Sequence, residues 1–125
     1  MVARFAFAAA ALLIVAAAPA TSPTLPTTVI DLASYRFTPA AIHLRAGQPV
    51  TLRFTNSSAM IHDFTAKDFF ARAQLLGGAV AKGKVKLDPG ASASVSLVPA
   101  RGTYKVRCTR LFHTMRGMVG SVVVD

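Results

Sequence analysis

The chain has 125 residues, 53% of them hydrophobic, a mean hydropathy of +0.48, neither Trp nor Glu, and a formal charge of +9. Much of the apolar excess sits in residues 1–20, so roughly 105 residues of ordinary composition remain, enough for one domain and too few for two. Dropping Arg4 from the 14 basic residues leaves 13 against five Asp, a charge of about +8 that draws acidic partners or membrane surfaces; the basic residues are dispersed rather than gathered on a helix, which argues against nucleic acid.

In chain order, Phe5 to Ala18 is an unbroken apolar run behind Arg4, closing on Ala16-Ala17-Ala18 and Ala18-Pro19-Ala20. Such a run predicts a secretory signal peptide over residues 1–20, and it is shorter than the ~20 residues a membrane-spanning helix needs. No membrane span is then expected in the mature protein. Thr21 to Pro26 (TSPTLP) reads as an extended spacer, and residues 27–125 as the folded domain. Period-two alternation marks strands at Thr28 to Ala33, around Ile42 and Leu44, and at Val50 to Thr55, the last two joined by the turn Ala46-Gly47-Gln48-Pro49. Lys67 to Leu76 breaks the pattern. Phe69, Phe70, Ala73 and Leu76 fall at helical spacing there, so one short helix is expected near 67–76, ended by Gly77-Gly78. Further strands are predicted at Val80 to Leu87, Ala91 to Val98, Thr103 to Cys108 and Met118 to Asp125, with Asp88-Pro89-Gly90 as a turn. Short strands at this spacing predict an all-β antiparallel sandwich.

Cys108 is the single cysteine. In an exported protein a lone thiol is buried and inert, kept for an intermolecular bond, or used as a ligand or reactive group. Its neighbourhood, Cys108-Thr109-Arg110-Leu111-Phe112-His113-Thr114-Met115-Arg116-Gly117-Met118, offers a thiolate, an imidazole and a thioether in one segment. Two imidazoles and a thiolate in a plane, with a weak axial thioether, form the ligand set of blue-copper sites, so a second His is required. Strand parity turns Cys108 inward with Tyr104 and Val106, and Met118 inward with Val122 and Val124. His62 follows the Asn56-Ser57-Ser58-Ala59 loop in phase with Phe64, whereas His43 is out of phase with Ile42 and Leu44 and reads as a surface residue.

An upstream His followed by Cys-x4-His-x4-Met, running into Gly117-Met118-Val119-Gly120-Ser121-Val122-Val123-Val124, resembles the small blue-copper proteins, the cupredoxins of plastocyanin and pseudoazurin type. Tyr35-Arg36-Phe37-Thr38-Pro39, then Ile42 to Gly47 and Val50-Thr51-Leu52, are similar to the second and third strands of bacterial members. The resemblance implies a Greek-key sandwich and one copper ion cycling between Cu(I) and Cu(II). It matches His62 to the first ligand, Cys108 to the thiolate, His113 to the solvent-edge imidazole and Met118 to the axial thioether.

Two departures stand out. The family usually places Asn after its first His, bonded to a hydroxyl residue after the Cys; here these are Asp63 and Thr109. Asp63 can still accept from Thr109 and tie the two ligand segments together, while its charge should favour Cu(II). The other is Met115 inside the ligand loop, with Met60 two residues before His62. The expected protein is a monomeric, periplasmic one-electron carrier, not an enzyme, with acidic redox partners drawn by Arg107, Arg110 and Arg116. The alternatives are a periplasmic copper-delivery protein using Met60 and Met115, and a metal-free cupredoxin-like interaction module.

Overall fold

The computed structural model describes residues 1–6 and 8–125; Phe7, within the expected leader, lies outside them. The described residues before Thr27 form no helix or strand, and no helix among the described residues is long and apolar enough to cross a membrane. From Thr27 onward the chain folds into two five-stranded sheets packed face to face. The first is ordered β2 (Arg36–Thr38), β1 (Thr27–Ala33), β4 (Val50–Asn56), β8 (Ser92–Val98), β6 (Gln74–Gly77). The second is ordered β3 (Ala41–Leu44), β10 (Val119–Val124), β9 (Gly102–Arg107), β5 (His62–Thr65), β7 (Lys84–Leu87).

Alternation selects the inner faces. Val50, Leu52 and Phe54 on β4, Val95 and Leu97 on β8, Tyr104 and Val106 on β9, and Val122 and Val124 on β10 are all buried, while the residues between them are more exposed. Phe54 and Phe64 meet across the two sheets with ring centroids 4.8 Å apart, and Phe37 and Phe70 meet Phe64 edge-on. Burying one such ring removes ~150–250 Å² from water, so this cluster is the main hydrophobic anchor between the sheets. The all-β sandwich agrees with expectation. Its pairing is not wholly antiparallel, however, because β1 lies parallel to β4 and β3 parallel to β10. Parallel neighbours need a crossover connection, and the chain supplies one in each case, passing through β3 of the second sheet between β1 and β4 and through strands of the first sheet between β3 and β10.

The helix expected over 67–76 is shorter. It spans Lys67–Arg72, burying Phe69 and Phe70. At Ala73 the backbone turns extended (φ −78°, ψ 152°), and Gln74–Gly77 becomes edge strand β6 against Val98, Leu97 and Ser96 of β8. A helix of two to three turns is marginal alone, and the open edge of β8 offers the same backbone groups a ladder instead. Gly78 permits this edge, since its φ is +89° and a Cβ there would collide with Ser94 O. The strand expected from Val80 likewise starts only at Lys84, because Lys82 and Gly83 both have positive φ and make a tight turn.

Candidate metal centre

The β9–β10 hairpin positions the thiol. Val119 pairs with Arg107, and just beyond that last pair the Cys108 N–H donates to Met118 O at 3.1 Å, so Cys108 and Met118 face each other across the loop mouth. Both are fully buried, as parity predicts. The intervening loop is knit by local bonds: His113 N–H to Arg110 O, Met118 N–H to His113 O, and Thr114 Oγ1 to Cys108 O at 2.7 Å. Gly117 closes the 3-10 turn Thr114–Arg116 with φ +89°, a conformation that costs other residues roughly 1 kcal/mol. Its function is this dihedral rather than close approach, since nothing lies within 4 Å of where a Cβ would be.

His62 comes from the other side, as the first residue of β5, all four of whose residues are buried. The loop before it is pinned by the buried Asn56 amide, whose Nδ2 donates to the carbonyls of Met60, Leu87 and Asp88 and whose Oδ1 accepts from Ser58 N–H. His62 Nδ1, Cys108 Sγ and His113 Nδ1 then converge. The two Nδ1 atoms are 3.2 Å apart, and Sγ stands 3.9 Å from that of His62 and 3.4 Å from that of His113. His43 is exposed on β3, paired in register with Val123 near the chain end, and takes no part in the cluster. Met60 and Met115 are both exposed, Met115 at 82%.

Two residues that the sequence did not single out complete the surroundings. Ser34 Oγ lies 3.0 Å from His62 Nε2, and the Tyr35 ring meets His113 edge-on at 5.0 Å. In the tautomer that carries its hydrogen on Nε2, His62 would donate to Ser34 Oγ and turn a bare Nδ1 lone pair toward the cluster. Tyr35 Oη donates to Met60 Sδ and accepts from the Arg116 guanidinium at 2.9 Å, so it braces the β1–β2 turn against the ligand loop.

Burial pushes both imidazoles below their ordinary range; proximity to His113 adds to this for His62, and Arg110 and Arg116 add to it for His113. Burial raises the Cys108 thiol, opposed by the Asp63 backbone N–H, which donates to Sγ at 3.4 Å. Two neutral imidazoles thus face one another with a thiol between them, an arrangement that a cation completes. Three donors ~2.0–2.3 Å from one centre in a trigonal plane stand roughly 3.5–3.9 Å apart, close to the spacings found here. Soft sulfur with two imidazoles in that plane is the donor chemistry of a copper site.

Asp63 clasps the two halves together as its sequence position suggests. Its Oδ1 accepts from Thr109 N–H at 2.9 Å and from Thr65 Oγ1 at 2.6 Å, and its Oδ2 accepts from Thr109 Oγ1 at 2.7 Å.

Comparison with known proteins gives the same picture. The cupredoxin-like domain family matches residues 5–124. Among solved structures, auracyanin from the photosynthetic bacterium Roseiflexus castenholzii is 22% identical with a TM-score of 0.62, covering 82% of this chain and 99% of that one. Auracyanin A, a "blue" copper protein from Chloroflexus aurantiacus, is 23% identical with a TM-score of 0.59, covering 82% of this chain and 100% of its own. A multicopper oxidase from Aquifex aeolicus has a TM-score of 0.64 at 15% identity, with 86% of this chain matching only 31% of that one. At these identities the likeness is one of fold. No curated protein matches the sequence.

Proposed function

The chain belongs to the cupredoxin-like domain family, and from that premise we propose that it is an exported blue-copper protein that carries one electron at a time between redox partners. The observation that carries this reading is the triangle of His62 Nδ1, Cys108 Sγ and His113 Nδ1. These three would hold one copper ion, with the buried thioether of Met118 as a further donor. Bound copper supplies a one-electron couple between Cu(I) and Cu(II). The chain's own residues keep that couple fast by holding the donors still: Ser34 orients His62, the Asp63–Thr109 clasp fixes β5 against Cys108, and the backbone of Met118 bonds to both Cys108 and His113.

His62, Cys108 and Met118 exclude water, each being fully buried, whereas His113 is 6% exposed and sits beside the outward-facing Leu111, Phe112 and Met115. His113 is therefore the edge through which the electron passes. Arg110 and Arg116 surround this edge and suit an acidic redox protein. Residues 1–20 serve as the export signal, the working compartment is the periplasm, and the protein acts as a monomer.

The test is a visible spectrum of the copper-loaded protein. An intense blue band supports the reading; a colourless protein that binds only Cu(I) supports copper delivery instead, for which the exposed thioethers of Met60 and Met115 are the favouring observation. The partner is tested by salt. Electron-transfer rates with the physiological partner should fall several-fold as ionic strength rises and the Debye length shrinks to about 8 Å. The double variant Arg110→Glu, Arg116→Glu should remove that dependence.

A further inference from the structure

The Asp63 carboxylate is 2% exposed, beside the thiol, and its hydrogen-bond partners are the neutral groups of Thr65 and Thr109. A carboxylate so buried needs a balancing charge. That charge lies one residue further along the same chain of bonds. Lys84 Nζ, at the start of edge strand β7, donates to Thr109 Oγ1 at 2.8 Å, and Thr109 Oγ1 donates in turn to Asp63 Oδ2 at 2.7 Å.

The polarity of this relay is fixed. An ammonium only donates and a carboxylate only accepts, so the hydroxyl between them must point its hydrogen at Asp63. The fold holds the relay in register, because Lys84 pairs with Thr65, two residues from Asp63 on the same strand, and Thr65 pairs with Arg107, next to Cys108. Lys86, directly across from Asp63, is exposed.

We propose that Lys84 is a positioning residue that sets the reduction potential of the site: through Thr109 it offsets the charge of Asp63, which would otherwise bias bound copper toward Cu(II). The inference rests on the copper reading above and concerns residues that touch no ligand side chain except through Asp63. A negative charge near the metal stabilises Cu(II) over Cu(I), and a cation joined to that charge by two short hydrogen bonds weakens the bias. Lys84 therefore raises the potential. Lys84 is half-buried and differs from the exposed lysines on the outer face of this sheet, such as Lys105 on β9, in being hydrogen-bonded into the relay through Thr109, at a contact that lies on the surface.

The experiment is redox titration of the copper-loaded full-length domain in wild type, Lys84→Met, Lys84→Arg, Lys105→Met, Asp63→Asn, and Asp63→Asn with Lys84→Met. Lys84→Met should lower the ratio of Cu(I) to Cu(II) affinity by about tenfold, a fall of about 59 mV for one electron. Lys84→Arg should restore most of it, and Lys105→Met should move it far less. Asp63→Asn should shift the ratio the other way, and in that background Lys84→Met should lose most of its effect. An equal shift from Lys84→Met and Lys105→Met, or no shift at all, overturns the proposal even if Asp63→Asn does not fold. So does a Lys84→Met effect that persists undiminished once Asp63→Asn has removed the carboxylate charge. A wild-type protein that shows no blue copper band would instead defeat the copper reading itself, before any variant is compared.

Discussion

His62 and His113 bring the same atom to the same point from two very different backbones. His62 begins a strand whose residues are all buried, paired along its length with β7 and clasped by Asp63 to Thr109. His113 stands in a loop whose neighbours Leu111, Phe112 and Met115 face solvent and which is ordered by bonds within the loop and by the Arg116–Tyr35 contact. Phe112 even occupies a left-handed conformation (φ 62°) that a non-glycine residue adopts only under local constraint. The strand side supplies geometry and the loop side supplies access. A one-electron site needs both: donors that do not move, and one edge within reach of a partner.

The sharpest way to break this comparison is to delete a donor from the strand side. His62→Ala and Cys108→Ser should each abolish the blue band and weaken copper binding by more than about 100-fold, beyond the loss expected for an outer partner of a ligand. His43→Ala should leave both unchanged, because His43 is exposed and outside the donor cluster. Absorption spectra and copper titration of the three variants decide it, and a blue band that survives His62→Ala would move the site elsewhere.

Stability should divide along the same line. Asn56→Ala strips three carbonyls of their buried donor and is expected to cost about 2–4 kcal/mol. Thr114→Val removes one bond inside the loop and should cost only about 1 kcal/mol. Urea unfolding of the metal-free variants compares the two, and a larger loss from Thr114→Val would mean that the loop, not the strand, holds the site together.

How much of this could be read from residues alone depended on whether the signal was local. Period two carried Tyr104, Val106 and Cys108 on β9, and Met118, Val122 and Val124 across the hairpin, to the same inner face, because a strand buried on one side leaves that alternation in the sequence. Strand β5 left only the phase of His62 with Phe64, too little to mark a strand: His62, Asp63, Phe64 and Thr65 are all buried, and the polar side chains of His62 and Asp63 have partners far along the chain. Helical spacing over residues 67–76 misled for the opposite reason, since Ala73 and Leu76 fit a helix locally but the edge of β8 claimed the backbone of Gln74, Leu75 and Gly77. Ser34 had no signal at all, and Tyr35 only a place in a strand-like segment with nothing that tied it to the site, because their contacts to His62 and Arg116 span 28 and 81 residues.

A smaller effect is expected with pH. Both imidazoles are held below their ordinary range by burial, so the folded metal-free chain keeps them neutral while the unfolded chain protonates them near pH 6.5. Above that pH neither state holds an extra imidazole proton, so the two His contribute no pH dependence there. As pH falls below about 6.5 the unfolded state gains protons before the native state does, so stability should drop, with a slope of at most about 1.4 kcal/mol per pH unit for each His until its folded-state titration is reached. Unfolding of the metal-free protein across that window measures the slope, which should shrink by about half in His113→Gln; a slope of the opposite sign would mean that the folded state holds an imidazolium.

The finest division lies within the ligand loop, between its two thioethers. Met118 is buried at the mouth of the β9–β10 hairpin, its carbonyl bonded to Cys108 and its N–H to His113, so its backbone cannot shift without moving both. Met115 belongs to the exposed 3-10 turn, only two residues after His113, and its side chain lies in solvent. If Met118 supplies the thioether donor proposed above, a harder oxygen in its place favours Cu(II), so Met118→Gln should lower the potential by about 59 mV or more, a tenfold change in relative affinity, and alter the visible spectrum. Met115→Leu should change neither, because Leu keeps the apolar surface and no sulfur contact is lost. The discriminating outcome is the reverse pair: if Met115→Leu weakens Cu(I) retention while Met118→Gln leaves the spectrum untouched, the exposed sulfur rather than the buried one handles the metal, and the loop would serve copper delivery instead of electron transfer.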